Sequence, residues 1–560
     1  MNAHKANCGL LVEIIRRHGV RDVVCSPGSR NAPLLLAVDA DAELRSHVII
    51  DERAAAFFAL GVAQVSRRPV ALVCTSGTAL LNYAPAVAEA YYQGIPLIVI
   101  SADRPERWID QDDSQTLRQP GALANFVKKS YDIPDIAADD TDMANYISRV
   151  ANDAMITATM RRPGPVHIDV RLNEPLTPGE RKISLPQRFI SCLEADDILP
   201  KETVRDLARS VADKKILLIA GFMLPDGKLN KTIQRLAALP NVYVMHETTA
   251  NIHLAGRHNA VDVILATLTE EQREELRPDL VITIGGALVS RLVKEYLRSI
   301  PNLEHWTVGH SHTTVDCFNA LTRRIEADPG RFLSMFEKFL AKEQPQSTYA
   351  HRWQSVKEAA VESHNRFIAG APWSDLAACQ IVFDSLPRDC NLQLSNGTAV
   401  RYAQLCLRRI PHACYCNRGV SGIDGSVSTA IGAASVYPDT TVLLTGDMSM
   451  AYDIGALALP EIPESLKIIV LNNQGGGIFR FIGSTRNLPQ REQYFCAPPA
   501  LPLATVAPAY GFEYFTADNP TQLAKVLPLF FSPRLTPSLL EIVTPGSLGG
   551  QVLIDYMNRK

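Results

Sequence analysis

Two short polar pairs, Gly446-Asp447 and Asn472-Asn473, each close an apolar run in the stretch TVLLTGDMSMAYDIGALALPEIPESLKIIVLNNQGGG. Asp447 and Asn473 stand 26 residues apart, the length of a strand-helix-strand unit, which brings both side chains to the carboxyl ends of neighbouring parallel strands. A carboxylate, an amide oxygen and the turn Gly475-Gly476-Gly477 make a hard-oxygen site of the kind Mg²⁺ prefers, with water and ligand phosphates completing the octahedron. A lone GD or NN pair is more often a simple turn after a buried strand. The paired spacing, and three glycines where backbone can approach a ligand closely, lift this pair above that reading. A second chemically suggestive residue is Glu52, which follows the apolar run SHVIID and opens ERAAAFFALGVAQVS. Taken alone, it reads as a first-turn carboxylate favoured by the helix macrodipole.

These residues need strands that end where they begin. From Arg21 to Asp103 short β-rich runs (RDVVCSPGS, SHVIID, PVALVCTSG, PLIVISAD) alternate with longer helical stretches, the pattern of a parallel sheet with helices on its faces. Functional groups are then expected at the strand exits SPGSR, DER, TSGT and ADRP. The segment GPVHIDVRLNEPLTPGE closes this unit, and the Pro-rich stretch from Leu185 to Pro200 reads as a linker. A middle α/β unit follows with KILLIAGFM, NVYVMHE, LVITIGGALVS and EHWTVGH as strands. A charged helical connector over Arg331 to Phe367 leads to a third unit, whose strands include CNLQLSNG, TVLLTGD, KIIVLNNQ and SLLEIVTP. The outer units share a layout but no residue-level repeat. The expected division is 1–185, 200–345 and 365–560, in keeping with about three domains for 560 residues.

Composition narrows the partners. Net charge is −3 with no basic block, so neither nucleic acid nor a membrane surface is expected as a ligand. Apolar runs such as ILLIAGFML fall far short of the roughly 20 residues that span a bilayer, and the first residues lack the apolar core and cleavage site of a signal peptide. Eleven cysteines scatter without CxxC pairs, which suits a reducing cytoplasm. Small molecules and other protein subunits are the expected partners.

The GD and NN pairs with their spacing resemble the diphosphate-binding motif of the thiamine diphosphate enzymes. That resemblance implies three doubly wound parallel-sheet α/β domains: pyrimidine-binding (1–185), central (200–345) and diphosphate-binding (365–560). It makes Asp447, Asn473 and the backbone carbonyl of Gly475 the ligands of Mg²⁺ or Mn²⁺. Gly446, Met448, Ser449, Gly476, Ser395, Asn396 and Gly397 would surround the cofactor's diphosphate; Met448 stands where the motif usually has Gly. In the family a Glu in the place of Glu52 hydrogen-bonds the aminopyrimidine ring and promotes its imino form, with Thr75, Ser76 and Gly77 lining the same pocket. Ile423 would be the apolar wedge that bends the cofactor, with Gly422 also at the cofactor, and Ile478 and Phe479 would wall the thiazolium.

SPGSR, ADRP, QTLRQPG, NGTAVR and NRGVSGIDG together resemble the menaquinone-biosynthesis branch of that family, from about Leu11 to Val543. Its members are transferases that decarboxylate 2-oxoglutarate and add the resulting succinic-semialdehyde unit in a 1,4 sense to isochorismate. The two substrates carry several carboxylates, and Arg offers a permanently charged planar fork that matches them. The resemblance therefore implies Arg30, Arg104, Arg291, Arg401 and Arg418 as substrate ligands, with Ser29 and Gln115 adding neutral hydrogen bonds. Two departures stand out: some members have Ser in place of Gly397, where Ser395 or Thr398 would supply the hydroxyl instead, and some have Lys-Arg where this chain has Ser290-Arg291-Leu292. In the family the pyrimidine domain of one subunit faces the diphosphate domain of another, which implies a homodimer or homotetramer. Another thiamine diphosphate-dependent 2-oxoacid decarboxylase or carboligase is the alternative reading.

Overall fold

The computed structural model describes residues 5–137, 139–176, 188–195, 197–254, 260–311, 313–409 and 411–559. Part of the expected linker at 185–200 lies outside the described residues. Among the described residues the chain forms three parallel sheets. The first contains β1 (Asp22–Cys25), β2 (Arg45–Val48), β3 (Val70–Cys74), β4 (Leu97–Asp103), β5 (Ser130–Ile133) and β6 (Val166–Arg171). The second contains β7 (Ile216–Ala220), β8 (Val242–His246), β9 (Leu280–Ile284), β10 (Glu304–Val308) and β11 (Leu321–Ile325). The third contains β12 (Asn391–Leu394), β13 (Ala413–Cys416), β14 (Thr441–Gly446), β15 (Leu466–Asn472), β16 (Glu513–Ala517) and β17 (Ser538–Val543).

Strand order is β2-β1-β3-β4-β6-β5 in the first sheet and β13-β12-β14-β15-β17-β16 in the third. Renumbered from its own first strand, the third sheet repeats the first strand for strand, a structural repeat with no counterpart in residue identity. The second sheet, β11-β10-β9-β7-β8, follows the same winding with one strand fewer. All three are doubly wound, so each reverses direction between its first and third strands, and there a crevice opens at the carboxyl ends. The strands that flank each crevice, such as β3 (VALVC) and β14 (TVLLTG), are buried along nearly their whole length, as parallel strands covered on both faces must be. In the second sheet that crevice is closed by backbone: Gly286 N donates to Phe222 O (2.8 Å) and Gly221 N to Ile284 O (3.0 Å). A Cβ at Gly221 would collide with the carbonyl oxygen of Gly286.

The described chain divides into two compact units: Met1–Glu194 with Gly419–Thr441 and Tyr452–Leu466, and Ala195–Arg418 with Val442–Ala451 and Lys467–Lys560. In the first unit, helix Glu52–Ser66 is capped by Asp51, whose Oδ1 accepts from Ala54 N at 3.2 Å, and lies against helix Ser426–Ala434. The crossing is built on glycines, with Gly61 against the Thr429 carbonyl and Gly432 against that of Phe58. In the second unit the expected connector is two helices, Pro329–Lys342 and Tyr349–Gly370. No described helix is long and apolar enough to cross a membrane.

Candidate active site

In the second unit, the switch point of the third sheet lies between β12 and β14. Their exits carry Ser395-Asn396-Gly397 and Asp447, and the next strand, β15, delivers Asn473. Asp447 is buried. Its Oδ2 accepts from Gly475 N at 2.7 Å and its Oδ1 from Met448 N at 2.8 Å. Burial lifts its carboxyl to about 6, against the pull of those two N–H donors. The two asparagines of the NN pair part company. Asn472 is consumed internally, its Nδ2 donating to Glu541 Oε1 (2.6 Å) and its Oδ1 accepting from Gln474 N (3.2 Å). Asn473 donates Nδ2 to Asp375 Oδ2 (2.6 Å), and its Oδ1 is buried with no hydrogen-bond partner.

A buried carboxylate beside a buried carbonyl oxygen without a donor is an arrangement that a cation satisfies. The residues present therefore fit a divalent metal. Among the described residues no three His, Cys, Asp or Glu side chains cluster as a metal site, so a cation here would rest on one carboxylate, one amide and backbone oxygen. Mg²⁺ accepts that sparse set when phosphates complete its shell. Arg480 fixes the turn from below, with Nη1 on Asn473 O (2.8 Å) and Nη2 on Gln474 O (2.9 Å). Gly475 adopts φ +118, and a Cβ there would strike the Cys496 carbonyl. Ser395 Oγ accepts from Gly446 N at 3.4 Å, tying the two exits together. Gly397 has φ +85, backbone that a serine adopts only under strain, so at this position the chain favours glycine for conformation. Ile478 and Phe479 are half-buried beyond the glycines, Phe479 against Phe495 with ring centroids 5.7 Å apart.

The same unit gathers three of the five arginines. Arg418 Nη1 donates to Asn396 Oδ1 (3.1 Å), and the Nε atoms of Arg401 and Arg418 are buried without partners. Burial lowers the affinity of Arg401 for its proton, as do Arg418 and Arg291 nearby, while Asp262 and Glu247 oppose them. Arg291 opens helix Arg291–Arg298 with its side chain 75% exposed and paired to Glu295 at 2.6 Å. The buried Glu247 accepts from Val289 N (2.7 Å) and Ser290 N (2.6 Å), and burial raises its carboxyl to about 7.

In the first unit the switch point lies between β1 and β3, whose exits are Ser26–Arg30 and Thr75–Gly77. Thr75 Oγ1 and Ser76 Oγ are buried there without partners, and Gly28 packs directly on the Thr75 side chain. Glu52 is half-buried and close enough to Cys74 and Tyr83 to influence both electrostatically. Arg30 donates to Leu172 O (3.1 Å) and pairs with Glu174 (3.1 Å), while Arg104 pairs with Asp113 (3.0 Å). Ser29 and Gln115 are exposed; Gln115 has φ +54 and lies beside Gly77. Gly422 and Ile423 are half-buried and follow a loop held by Glu89, which accepts from Gly419 N (2.6 Å) and Val420 N (2.8 Å).

Residues 9–122 match the N-terminal, and 396–542 the C-terminal, TPP-binding domain of thiamine pyrophosphate enzymes. The chain is 40% identical, over 99% of its length and 96% of the relative's, to 2-succinyl-5-enolpyruvyl-6-hydroxy-3-cyclohexene-1-carboxylate synthase of Porphyromonas gingivalis. It belongs to this synthase family. Proteins of the same name from Flavobacterium psychrophilum (38% identity, 98% of this chain and 97% of the relative) and Bacteroides fragilis (35%, 100% of both) are similar throughout.

Within this synthase fold the structure adds residues to which the motifs assign no role. Asp375, behind Asn473, lies outside every strand-exit signal. In the first unit Gln119 is fully buried, accepting from Gly77 N (2.8 Å) and donating to Asp169 Oδ1 (2.8 Å) and Ala102 O (3.1 Å). Asp169 Oδ1 also accepts from Ser101 Oγ (2.5 Å), while Asp103 accepts from Arg104 N (2.8 Å). Oδ2 of each aspartate is buried with no hydrogen-bond partner, and the two carboxyls act on one another's titration. Two carboxyls held together in a dry space favour keeping one proton over ionising both. Burial raises both acids, Asp169 the more strongly, with Arg171 opposing at Asp103 and Asp132 adding to the rise.

The folded state thus binds this proton more tightly than the unfolded chain. Its stabilising effect is complete below the ordinary Asp range and is lost as pH rises through the raised values. Asp169→Asn keeps the acceptor for Ser101 and Gln119 and offers Asp103 an N–H. The variant is expected to gain stability relative to the parent as pH rises above the ordinary Asp range, measured by urea unfolding at a series of pH values. A difference that does not change with pH would refute the retained proton.

Proposed function

We propose that this synthase-family chain joins 2-oxoglutarate to isochorismate with release of CO₂, giving 2-succinyl-5-enolpyruvyl-6-hydroxy-3-cyclohexene-1-carboxylate. The observation that carries the reading is near full-length similarity to proteins of that name. The arginines at the strand exits agree with it, since the substrates are poly-carboxylates. When bound, thiamine diphosphate supplies the electron sink for decarboxylation and carbon-carbon bond formation. Asp447, Asn473 and the Gly475 carbonyl would hold Mg²⁺ or Mn²⁺ against the diphosphate. Thr75 and Ser76, whose hydroxyls are buried without partners, would bind the pyrimidine end, and Glu52 would hold a proton at a nitrogen of that ring.

Arg401 and Arg418 repel one another in the free protein. A substrate carboxylate between them relieves that repulsion, so binding energy goes into positioning. Arg30 and Arg104 are proposed to do the same for the second acid, with Ser29 and Gln115 orienting its neutral groups. Arg291 is proposed at the rim, its exposed guanidinium exchanging Glu295 for substrate. We place the cofactor between subunits of a homodimer or larger assembly. Support comes from Val48, 54% exposed at the end of edge strand β2, and Ile50, 81% exposed just beyond it, apolar surface of the kind that protein interfaces cover.

The test follows isochorismate and CO₂ together, with purified protein, 2-oxoglutarate, thiamine diphosphate and Mg²⁺. Equimolar isochorismate loss and CO₂ release are expected. Release of CO₂ while isochorismate persists would replace this reading with a simple 2-oxoacid decarboxylase.

A further inference from the structure

The two asparagines after β15 differ by what stands behind them, and behind Asn473 stands Asp375. This carboxylate, wholly buried at the first turn of helix Asp375–Asp384, accepts from Asn473 Nδ2 at 2.6 Å through Oδ2 and from Thr544 Oγ1 through Oδ1. Thr544 follows β17, and Trp373, two residues before Asp375, donates Nε1 to Val543 O at 2.9 Å. The carboxylate is thus anchored from two elements.

Both oxygens of Asp375 are taken up as acceptors, one from Asn473 Nδ2 and one from Thr544 Oγ1. The amide of Asn473 can meet that carboxyl only through its NH₂ group, so the carbonyl oxygen must point the other way, and that oxygen is the buried atom without a partner. We infer that Asp375 is a positioning residue that locks the Asn473 amide with its oxygen presented to a divalent cation. The inference rests on the metal-site reading above.

The motif pair cannot specify this by itself. A free asparagine side chain presents NH₂ or oxygen with little preference, and an NH₂ group aimed at a cation repels it. Groups that orient a metal ligand from behind commonly contribute about 10–100-fold to metal affinity. Asn472, held instead by Glu541 and Gln474, has no such freedom and no such oxygen to offer.

The experiment titrates Mn²⁺ into the full-length protein with thiamine diphosphate, reading free Mn²⁺ by electron paramagnetic resonance, with thermal melting of the metal-free protein alongside. Asp375→Asn can meet the Asn473 amide in either orientation, so Mn²⁺ affinity is expected to fall about 10–100-fold while the metal-free melting curve stays near that of the parent. Thr544→Val, which frees Asp375 from one anchor, is expected to weaken binding in the same direction by less. Adding Asn473→Asp to Asp375→Asn exchanges acceptor and amide, leaves a ligand with no wrong orientation, and should restore affinity.

Undiminished Mn²⁺ affinity in Asp375→Asn, with binding still lost in Asp447→Ala, overturns the positioning role while leaving the metal site standing. Undiminished affinity in Asp447→Ala overturns the metal site itself. Should Asp375→Asn melt early, failure of the exchanged pair to restore both folding and Mn²⁺ binding overturns the inference.

Discussion

Glu52→Gln is expected to lower turnover by about 10²–10⁴-fold, the range over which a positioned acid or base acts. That corresponds to about 3–5 kcal/mol on the barrier. The cost to folding is far smaller. Glu52 is half-buried at the first turn of its helix, where loss of a carboxylate costs about 0.3–1 kcal/mol in macrodipole energy. The cap belongs to Asp51, not Glu52, and survives the change. Steady-state kinetics with both substrates, set beside a thermal melt and a thiamine diphosphate titration, separates the two effects. Turnover within about threefold of the parent would remove Glu52 from cofactor activation.

Gly432→Leu and Gly61→Ala are expected to give the largest losses of stability. In an open helix, Ala in place of Gly gains about 1 kcal/mol. At these two positions the obstacle decides the sign. A Cβ at Gly61 runs into the carbonyl of Thr429, and one at Gly432 into that of Phe58, backbone that cannot rotate aside. Overpacking of this kind costs about 1–3 kcal/mol per site, and a leucine adds further atoms with nowhere to go. The loss also reaches function, because helix Ser426–Ala434 follows directly on the loop that carries Gly422 and Ile423. Gly549→Ala, where nothing lies within 4 Å of the added carbon, serves as the control and should not destabilise. Thermal melts of all three variants make the comparison. Parent-like melting of Gly61→Ala would show that the two helices do not bear on each other so closely.

Strands that cross the middle of each sheet were legible because they are continuous apolar runs: VALVC, LIVISAD, ILLIA, TVLLTG and LKIIVLN are buried along almost their whole length. Of the strands that the sequence does not announce, β5, β11, β13 and β16 are sheet edges, while β6 (VHIDVR), buried between β4 and β5, has its apolar run broken by His167 and Asp169. Three of the edges are only partly buried (SYDI, LTRRI, EYFTA). An edge strand has one neighbour, often a wet face, and no need for an apolar run, so composition does not announce it. The repeat between the outer sheets was invisible for a related reason. Winding order is set by connection handedness and helix packing, which many different apolar residues satisfy equally.

The sequence by itself determined that Asp447, Asn473, Glu52 and the SPGSR and TSGT loops sit at the ends of parallel strands, because strand periodicity and glycine spacing are local. It also determined the family, because motifs such as NRGVSGIDG are contiguous. Tertiary structure alone decided which asparagine of the NN pair keeps a free oxygen. That choice depends on Asp375, 98 residues earlier in the chain, and on Thr544, 169 residues beyond Asp375. It likewise brought the buried acids Asp103 and Asp169 to act on one another, since two carboxyls compete for a proton only when folding puts them into a common dry space. Residue type announces what a group can do. Which way its amide faces, and whether its proton stays, are set by neighbours that only the folded chain supplies.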